Sequence, residues 1–240
     1  MTKKCSLLFR ITTLEAISAL IASFSLLYVF VLRAPSAAEI FDDASQAVVE
    51  LRAQTDEGAV SYGSAVLIDD KGYLASNAHV VTYTRLAARH EFETYDIRFA
   101  FETDYRRAEL ISYDAEKDIA LLKLTELPEF KLKPVKFGST AELKAGDRVY
   151  AVGNAMNHGV SISQGIVSLP KINIEYDGKM RTTIQCDLTI NEGNSGGALL
   201  NERGKLIGMT TFRIKDSSGN PVYGVAFCIP AENIKDFCKL

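Results

Sequence analysis

Residues Asn191–Leu200 read NEGNSGGALL. Three glycines surround one serine, Ser195, and an apolar, strand-like run follows at once. Glycine costs roughly 0.5–1 kcal/mol relative to alanine inside regular structure. A chain that concentrates it here must either bend sharply or approach something closely. A hydroxyl presented on such a turn is a candidate nucleophile, and it becomes one only beside a general base.

The usual base is histidine, and the chain has three. His90 lies in the charged stretch RHE and reads as solvated surface; His158 lies in the polar loop NAMNHG. His79 sits in ASNAHVV, where a strand-like run ends among small residues, so it is the candidate base. The base needs an orienting carboxylate. Asp118 precedes the apolar run IALLKL, and a carboxylate at the mouth of such a strand must be hydrogen-bonded to be tolerated. Asp114 is a rival in the looser SYDAEKD, whereas Asp69 and Asp70 belong to a turn. Chain order then discriminates between folds. Gly193–Gly197 fits G-x-S-x-G, but the α/β-hydrolase order needs a histidine after the serine, and none follows Ser195. The order His79, Asp118, Ser195 is that of chymotrypsin-like enzymes on paired β-barrels. In this reading Gly193 and Ser195 aim their backbone N–H groups at one oxyanion, each donor worth roughly 2.7–4 kcal/mol.

The remainder of the chain agrees with an all-β body. Short strands are expected at Val60–Asp69, Tyr73–Ser76, Tyr95–Phe101, Arg107–Tyr113 and Ile119–Leu124. More follow at Arg148–Val152, Gly165–Ser168, Thr182–Ile190, Ala198–Leu200, Leu206–Phe212 and Val222–Ile229. Helical candidates are Ala38–Gln46, part of Val80–His90 and Ala231–Lys239. Leu127–Gly138 holds two of the six prolines and reads as a connection between halves. The expected division is a stub and apolar segment at 1–33, a linker at 34–46, an N-terminal barrel at 47–135, and a C-terminal barrel with a terminal helix at 136–240. A cleft between two packed barrels is a natural place for a site.

The N-terminus is different in kind. Lys3, Lys4 and Arg10 precede Ala16–Leu32, seventeen residues without a charge. As a helix these reach about 25 Å, a little short of the roughly 30 Å hydrocarbon core. The segment reads as an uncleaved single-pass anchor or as a signal peptide cut after Ser36-Ala37-Ala38; its length and Arg33 favour the anchor. Either reading places the body outside the cytoplasm. The chain carries a net charge of −3, and the N-terminal segment is its basic part, so the body is more acidic still. An acidic body without a basic stripe argues against nucleic acid as partner. Of the four cysteines, Cys186, Cys228 and Cys238 fall in the exported part, which permits at most one bridge among them. Their spacing matches no metal motif, and no cofactor is expected.

The stretches SNAHVV (Ser76–Val81), DIALLKL (Asp118–Leu124), GNAMNHGVSISQGIVS (Gly153–Ser168), IQCDLTINEGNSGGALL (Ile184–Leu200) and GVAFCIP (Gly224–Pro230) together resemble the HtrA/Deg family of trypsin-like serine proteases. The resemblance covers roughly residues 47–235. It implies two Greek-key barrels and endopeptidase activity on unfolded or misfolded polypeptides in the cell envelope. By motif position it makes His79 the base, Asp118 its orienter and Ser195 the nucleophile, with Gly193 and Ser195 as the oxyanion hole. Members often trimerise through an N-terminal segment, to which Phe41 would belong. They also carry PDZ domains after the protease, whereas this sequence ends at Leu240. The expectation is that PDZ-based capture is absent or supplied by another protein.

Two further departures concern the site. Glu192 stands where members usually have proline, and is expected to point outward. Thr189 stands six residues before the nucleophile, where an acid would select basic side chains; Asp187 resembles the aspartate that members carry without that preference. The expected substrate walls are Thr189, Ile190, Thr210, Thr211, Phe212 and Val225, suited to small or medium apolar side chains, with substrate adding as a strand along 210–213. The alternative reading is a chaperone-like module of the same fold that binds polypeptide with little turnover.

Overall fold

The computed structural model describes residues 15–25 and 33–240. The chain divides into two compact units, Met1–Pro35 and Ser36–Leu240. In the first, residues 15–25 are helical. The second part of the expected apolar span, 26–32, lies outside the described residues. No helix among the described residues is long and apolar enough to cross a membrane.

The second unit opens with helix α1 (Ala37–Ala44), started by a capping box. The Glu39 N–H donates to Ser36 Oγ at 3.3 Å and the Ser36 N–H donates to Glu39 Oε2 at 2.8 Å. Eight strands follow: β1 (Val48–Gln54), β2 (Val60–Leu67), β3 (Tyr73–Ser76), β4 (Thr82–Arg85), β5 (Ala88–Glu91), β6 (Thr94–Phe99), β7 (Arg106–Asp114) and β8 (Ile119–Leu124). A short helix, α2 (Ala78–Val81), follows β3. Six of these strands close into a barrel in the order β1-β2-β3-β8-β7-β6, and β4 and β5 form a separate hairpin. After the proline-containing connection come β9 (Arg148–Gly153), β10 (Ser161–Tyr176), β11 (Lys179–Cys186), β12 (Ala198–Asn201), β13 (Leu206–Lys215) and β14 (Pro221–Pro230). They close a second barrel in the order β10-β11-β14-β13-β12-β9, and α3 (Ala231–Cys238) ends the fold.

Three apolar clusters hold this arrangement. Leu51, Leu67, Leu74, Ile97, Phe99 and Leu122 fill the first barrel. Val149, Ile184, Leu188, Leu199 and Ile207 fill the second. A third cluster, with Val48, Val66, Ile119, Val152, Leu200 and Met209, joins strands of both barrels and takes Ile40 from α1. Strand β1 therefore buries both faces: Val49 and Leu51 go into the barrel, and Val48 into the seam. Its sequence alternates Val49, Leu51 and Ala53 with Glu50, Arg52 and Gln54, the pattern of a strand, although it is not among the expected strands.

Other differences from expectation have local causes. The helix expected within Val80–His90 is only the turn Ala78–Val81. Leu86 and Ala87 adopt positive φ of 53° and 62°. They make the two-residue turn of the β4–β5 hairpin, which requires that backbone at both positions. The short strand expected at Gly165–Ser168 is part of the sixteen-residue β10, which extends with β11 as a long hairpin turning at Asp177 and Gly178. Strand β11 stops at Cys186 rather than running to Ile190. Cys186, Cys228 and Cys238 are free thiols. Cys186 pairs with Ala226 and Cys228 with Ile184, so these two cysteines stand diagonally across β11 and β14. They meet as thiols: a hydrogen bond with Cys186, together with burial, pushes the Cys228 thiol well above its ordinary range.

Ile40 is 2% exposed and ties α1 to the seam. Replacing it by alanine is expected to cost about 2–5 kcal/mol, read as a lower urea midpoint. An unchanged midpoint would show that α1 does not contribute to the folded unit.

Candidate active site

The residues singled out in the sequence meet at one cleft of about 550 Å³, lined by His79 and Asp118 from the first barrel and Ser195 from the second. Each is placed by a strand end. His79 sits on α2, just beyond β3; Asp118 is the residue before β8; Ser195 lies on the turn leading into β12. Asp118 adopts a φ of 58°. This left-handed conformation is one that aspartate tolerates better than most residues. That backbone is secured by Asn77, whose Nδ2 donates to the Asp118 carbonyl at 2.9 Å.

The Asp118 carboxylate is almost fully enclosed, at 4% exposure, yet its oxygens are well supplied with donors. The His79 backbone N–H donates to Oδ1 at 3.0 Å, and the Thr211 hydroxyl donates to Oδ2 at 2.7 Å. His79 Nδ1 lies 3.0 and 2.9 Å from the two oxygens. A carboxylate can only accept, so Nδ1 carries the proton and Nε2 keeps its lone pair. Burial pushes the Asp118 carboxyl upward, but its electrostatic interaction with the His79 ring and the hydrogen bonds from His79 and Thr211 outweigh it. The group titrates below the usual carboxylate range.

The Ser195 hydroxyl donates to the Thr211 carbonyl at 2.9 Å, and among the described residues no hydrogen bond joins it to His79. Its turn is held from several sides. Ser64, fully buried on β2, donates to the Gly193 carbonyl at 2.7 Å and accepts the Asn154 N–H at 2.8 Å. The Ser64 N–H donates to the Ser195 carbonyl at 2.8 Å. The Thr210 hydroxyl donates to the Asn194 carbonyl at 2.5 Å. Gly193 has φ 90°, and a Cβ there would overlap the Asn154 carbonyl oxygen; Gly196 has φ 86°, and a Cβ would overlap the Ser64 carbonyl oxygen. This answers why glycine is concentrated around one serine: the turn is both left-handed and pressed against its neighbours. Among the described residues, the N–H groups of Gly193 and Ser195 have no protein acceptor.

Of the expected walls, Ile190, Thr211 and Phe212 line the cleft. Thr211 does so while bonded to Asp118, and Thr210 is buried under the Ser195 turn. Thr189 is exposed and Val225 half-buried, and neither lines the cleft. Asp187 Oδ1 accepts the Ile166 N–H at 2.6 Å, which fixes β10 beside the loop. Sequence reasoning missed Tyr176, Arg181 and Arg213, which also line the cleft. The Tyr176 ring, from the tip of the β10–β11 hairpin, stacks on Phe212 at 3.8 Å between centroids. His90, as expected of surface, is exposed and stacks on Tyr83.

Comparison with known proteins agrees with this geometry. The trypsin-like peptidase domain matches residues 63–209. The chain belongs to that family and, within it, to the HtrA type. It is 35% identical over 184 residues to a probable periplasmic serine protease, do/HhoA-like, of Haemophilus influenzae, covering 74% of this chain and 36% of that one. It is 35% identical over 184 residues to the periplasmic serine endoprotease DegP of Escherichia coli, covering 74% of this chain and 35% of that one. The chain thus spans about a third of the length of these curated relatives. Among solved structures it resembles the HtrA-type protease AlgW with a tripeptide, at TM-score 0.71 and 30% identity, over 85% of this chain and 63% of that one.

Two measurements probe the site. Ser64→Ala leaves the Asn154 N–H and the Gly193 carbonyl buried without their partner, a loss of about 1–3 kcal/mol in urea unfolding; wild-type stability in this variant would show that the seam does not depend on the hydroxyl. For Asp118 the folded value is depressed, so its contribution is complete above the unfolded value of about 3.9 and is lost as pH falls through the folded one. The stability gap between wild type and Asp118→Asn is therefore expected to narrow between about pH 5 and pH 2. A gap that stays constant over that window would contradict the depressed carboxyl.

Proposed function

We propose that this chain is a serine endopeptidase acting on extended or unfolded polypeptide outside the cytoplasm. The observation that carries it is the His79–Asp118 pair facing Ser195 in one cleft, beside two unused N–H groups. His79 Nε2 accepts the Ser195 proton as Oγ bonds to the peptide carbonyl carbon. The carbonyl electrons move to the oxygen, which the Gly193 and Ser195 N–H groups stabilise. His79 then passes the proton to the leaving amine as the C–N bond breaks, leaving an acyl-enzyme. Water, deprotonated by His79, opens the ester and restores the serine. Asp118 holds the imidazole in the productive tautomer and stabilises its transient positive charge.

In the first step the Ser195 hydroxyl exchanges the Thr211 carbonyl for His79 Nε2. The same carbonyl lies on β13 where an extended substrate pairs, so an incoming backbone N–H competes for the acceptor that holds the serine aside. The periplasmic relatives support an envelope location. The apolar stretch 16–32 supports attachment there through the N-terminus.

The Ser195–Thr211 bond also favours a second reading, a polypeptide-binding module with little turnover. Cleavage of casein and labelling by a fluorophosphonate separate the two. We expect wild type to label and to cleave. Ser195→Ala should lose labelling and at least about 10³-fold in kcat. Labelling that persists in Ser195→Ala would remove this serine as nucleophile; binding of casein without cleavage by wild type would establish the second reading.

A further inference from the structure

The cleft contains cations that the proposed chemistry does not use. Arg213 follows Phe212 on β13 and its Nη1 donates to the Ile190 carbonyl at 2.9 Å and to Asn191 Oδ1 at 3.2 Å. Both acceptors are neutral. Arg181, 9% exposed, is anchored on the other barrel's loop: its Nε donates to the Glu116 carbonyl at 3.1 Å and its Nη2 to the Ala115 carbonyl at 3.3 Å. Its guanidinium carbon lies 5.8 Å from the centre of the Tyr176 ring. Among the described residues, neither arginine has a carboxylate within ion-pair distance. A guanidinium bonded only to carbonyl dipoles keeps its whole charge, and a partly enclosed cleft screens that charge less than open water does.

The anions nearby do not cancel it. Asp118 is committed to His79 and Thr211. Asp177 and Glu192 also line the cleft but are exposed, so solvent screens them, and among the described residues neither pairs with either arginine. Meanwhile the floor at Ile190 and Phe212, each 5% exposed, is apolar. The cleft is therefore built for two chemistries at once: an apolar pocket, flanked by fixed positive charge.

The strand edge says which part of a substrate meets that charge. β12 pairs with β13 only as far as Met209, after which Gly196 and Gly197 exchange bonds with Thr210. Beyond it, Thr211–Arg213 is paired on its other side with β14, through Phe212 with Phe227 and Arg213 with Ala226. The cleft side of that edge is where an extended polypeptide adds, with the residues before its scissile bond running alongside 211–213.

We propose that Arg213, with Arg181 across the cleft, makes the enzyme select polypeptides bearing a carboxylate side chain within the three residues before the scissile bond. This rests on the hydrolase reading above. A planar guanidinium offers five N–H donors in a fork matched to carboxylate, of which the neutral acceptors occupy only part. The residue at the scissile bond itself enters the apolar floor. If Arg213 only braced residues 190–191, the charge of the substrate would be irrelevant to the rate.

The test uses full-length protein and quenched-fluorescent peptides with small apolar residues. Each of the three positions before the scissile bond carries Glu in one peptide and Gln in its twin. The readout is the Glu/Gln ratio of kcat/KM, which cancels any general loss of activity. In wild type we expect a ratio of about ten at one position or more, shrinking as salt is raised. It should collapse toward unity in Arg213→Gln and be partly retained in Arg213→Lys. A wild-type ratio within about twofold of unity at every position, or one that Arg213→Gln leaves unchanged, overturns the proposal. Should Arg213→Gln fail to fold, the salt dependence of the wild-type ratio and the Arg213→Lys ratio decide it. Equal cleavage of both twins with Ser195 labelled sinks only the selectivity; no cleavage and no labelling sinks the hydrolase reading and this proposal with it.

Discussion

One buried hydroxyl fixes the relation on which the site depends. Ser64 lies on β2 of the first barrel and is bonded to the Ser195 turn of the second through both its side chain and its N–H. Its hydroxyl also accepts from Asn154 and its carbonyl accepts from Ser76. His79 and Asp118 belong to one barrel and Ser195 to the other, so their mutual placement is a question of how two barrels meet. Apolar contact across the seam supplies adhesion but little direction. Hydrogen bonds supply direction, with useful geometry confined to a few tenths of an ångström. In a seam sealed from water each of these bonds is also costly to break.

The same seam explains how a carboxylate survives at 4% exposure. Its desolvation is offset because a backbone N–H, an imidazole N–H and a hydroxyl all donate to it. The hydroxyl comes from Thr211 of the second barrel, so Asp118 is satisfied only once the barrels have docked. Thr211 thereby couples two members of the site: its side chain reaches the aspartate and its carbonyl holds the serine. Assembly of the cleft and satisfaction of its buried charge are one event. Arg181 and Arg213, by contrast, are held by neutral acceptors, with no carboxylate among the described residues within ion-pair distance.

Legibility in the sequence followed the physics of each element. Strands whose residue types alternate, such as Tyr95–Phe99, were visible through that alternation. Val48–Gln54 alternates in the same way, and its absence from the expected strands has no physical reason. The β4–β5 hairpin was hidden because its turn uses Leu86 and Ala87 in the left-handed region instead of glycine or asparagine. Ser195 and His79 were legible because glycines flag the turn and only three histidines compete. Ser64 was not: a serine inside YGSAVLID differs from a tolerated polar residue only through partners ninety or more positions away. The one available signal was its place between glycine and a run of apolar residues, where a hydroxyl must find a partner. Arg181 and Arg213 were equally silent, since an arginine on a strand is ordinary until its neighbours prove to be carbonyls.

By itself the sequence determined most element types, the β class, and the chain order of His79, Asp118 and Ser195, because periodicity, turn chemistry and scarce residue types are local properties. Only the tertiary structure decided which hydroxyl supports the Ser195 turn, where the serine rests, and which charges reach the cleft. Those depend on pairs of groups far apart in the chain, and their energies exist only after water has been expelled from between them.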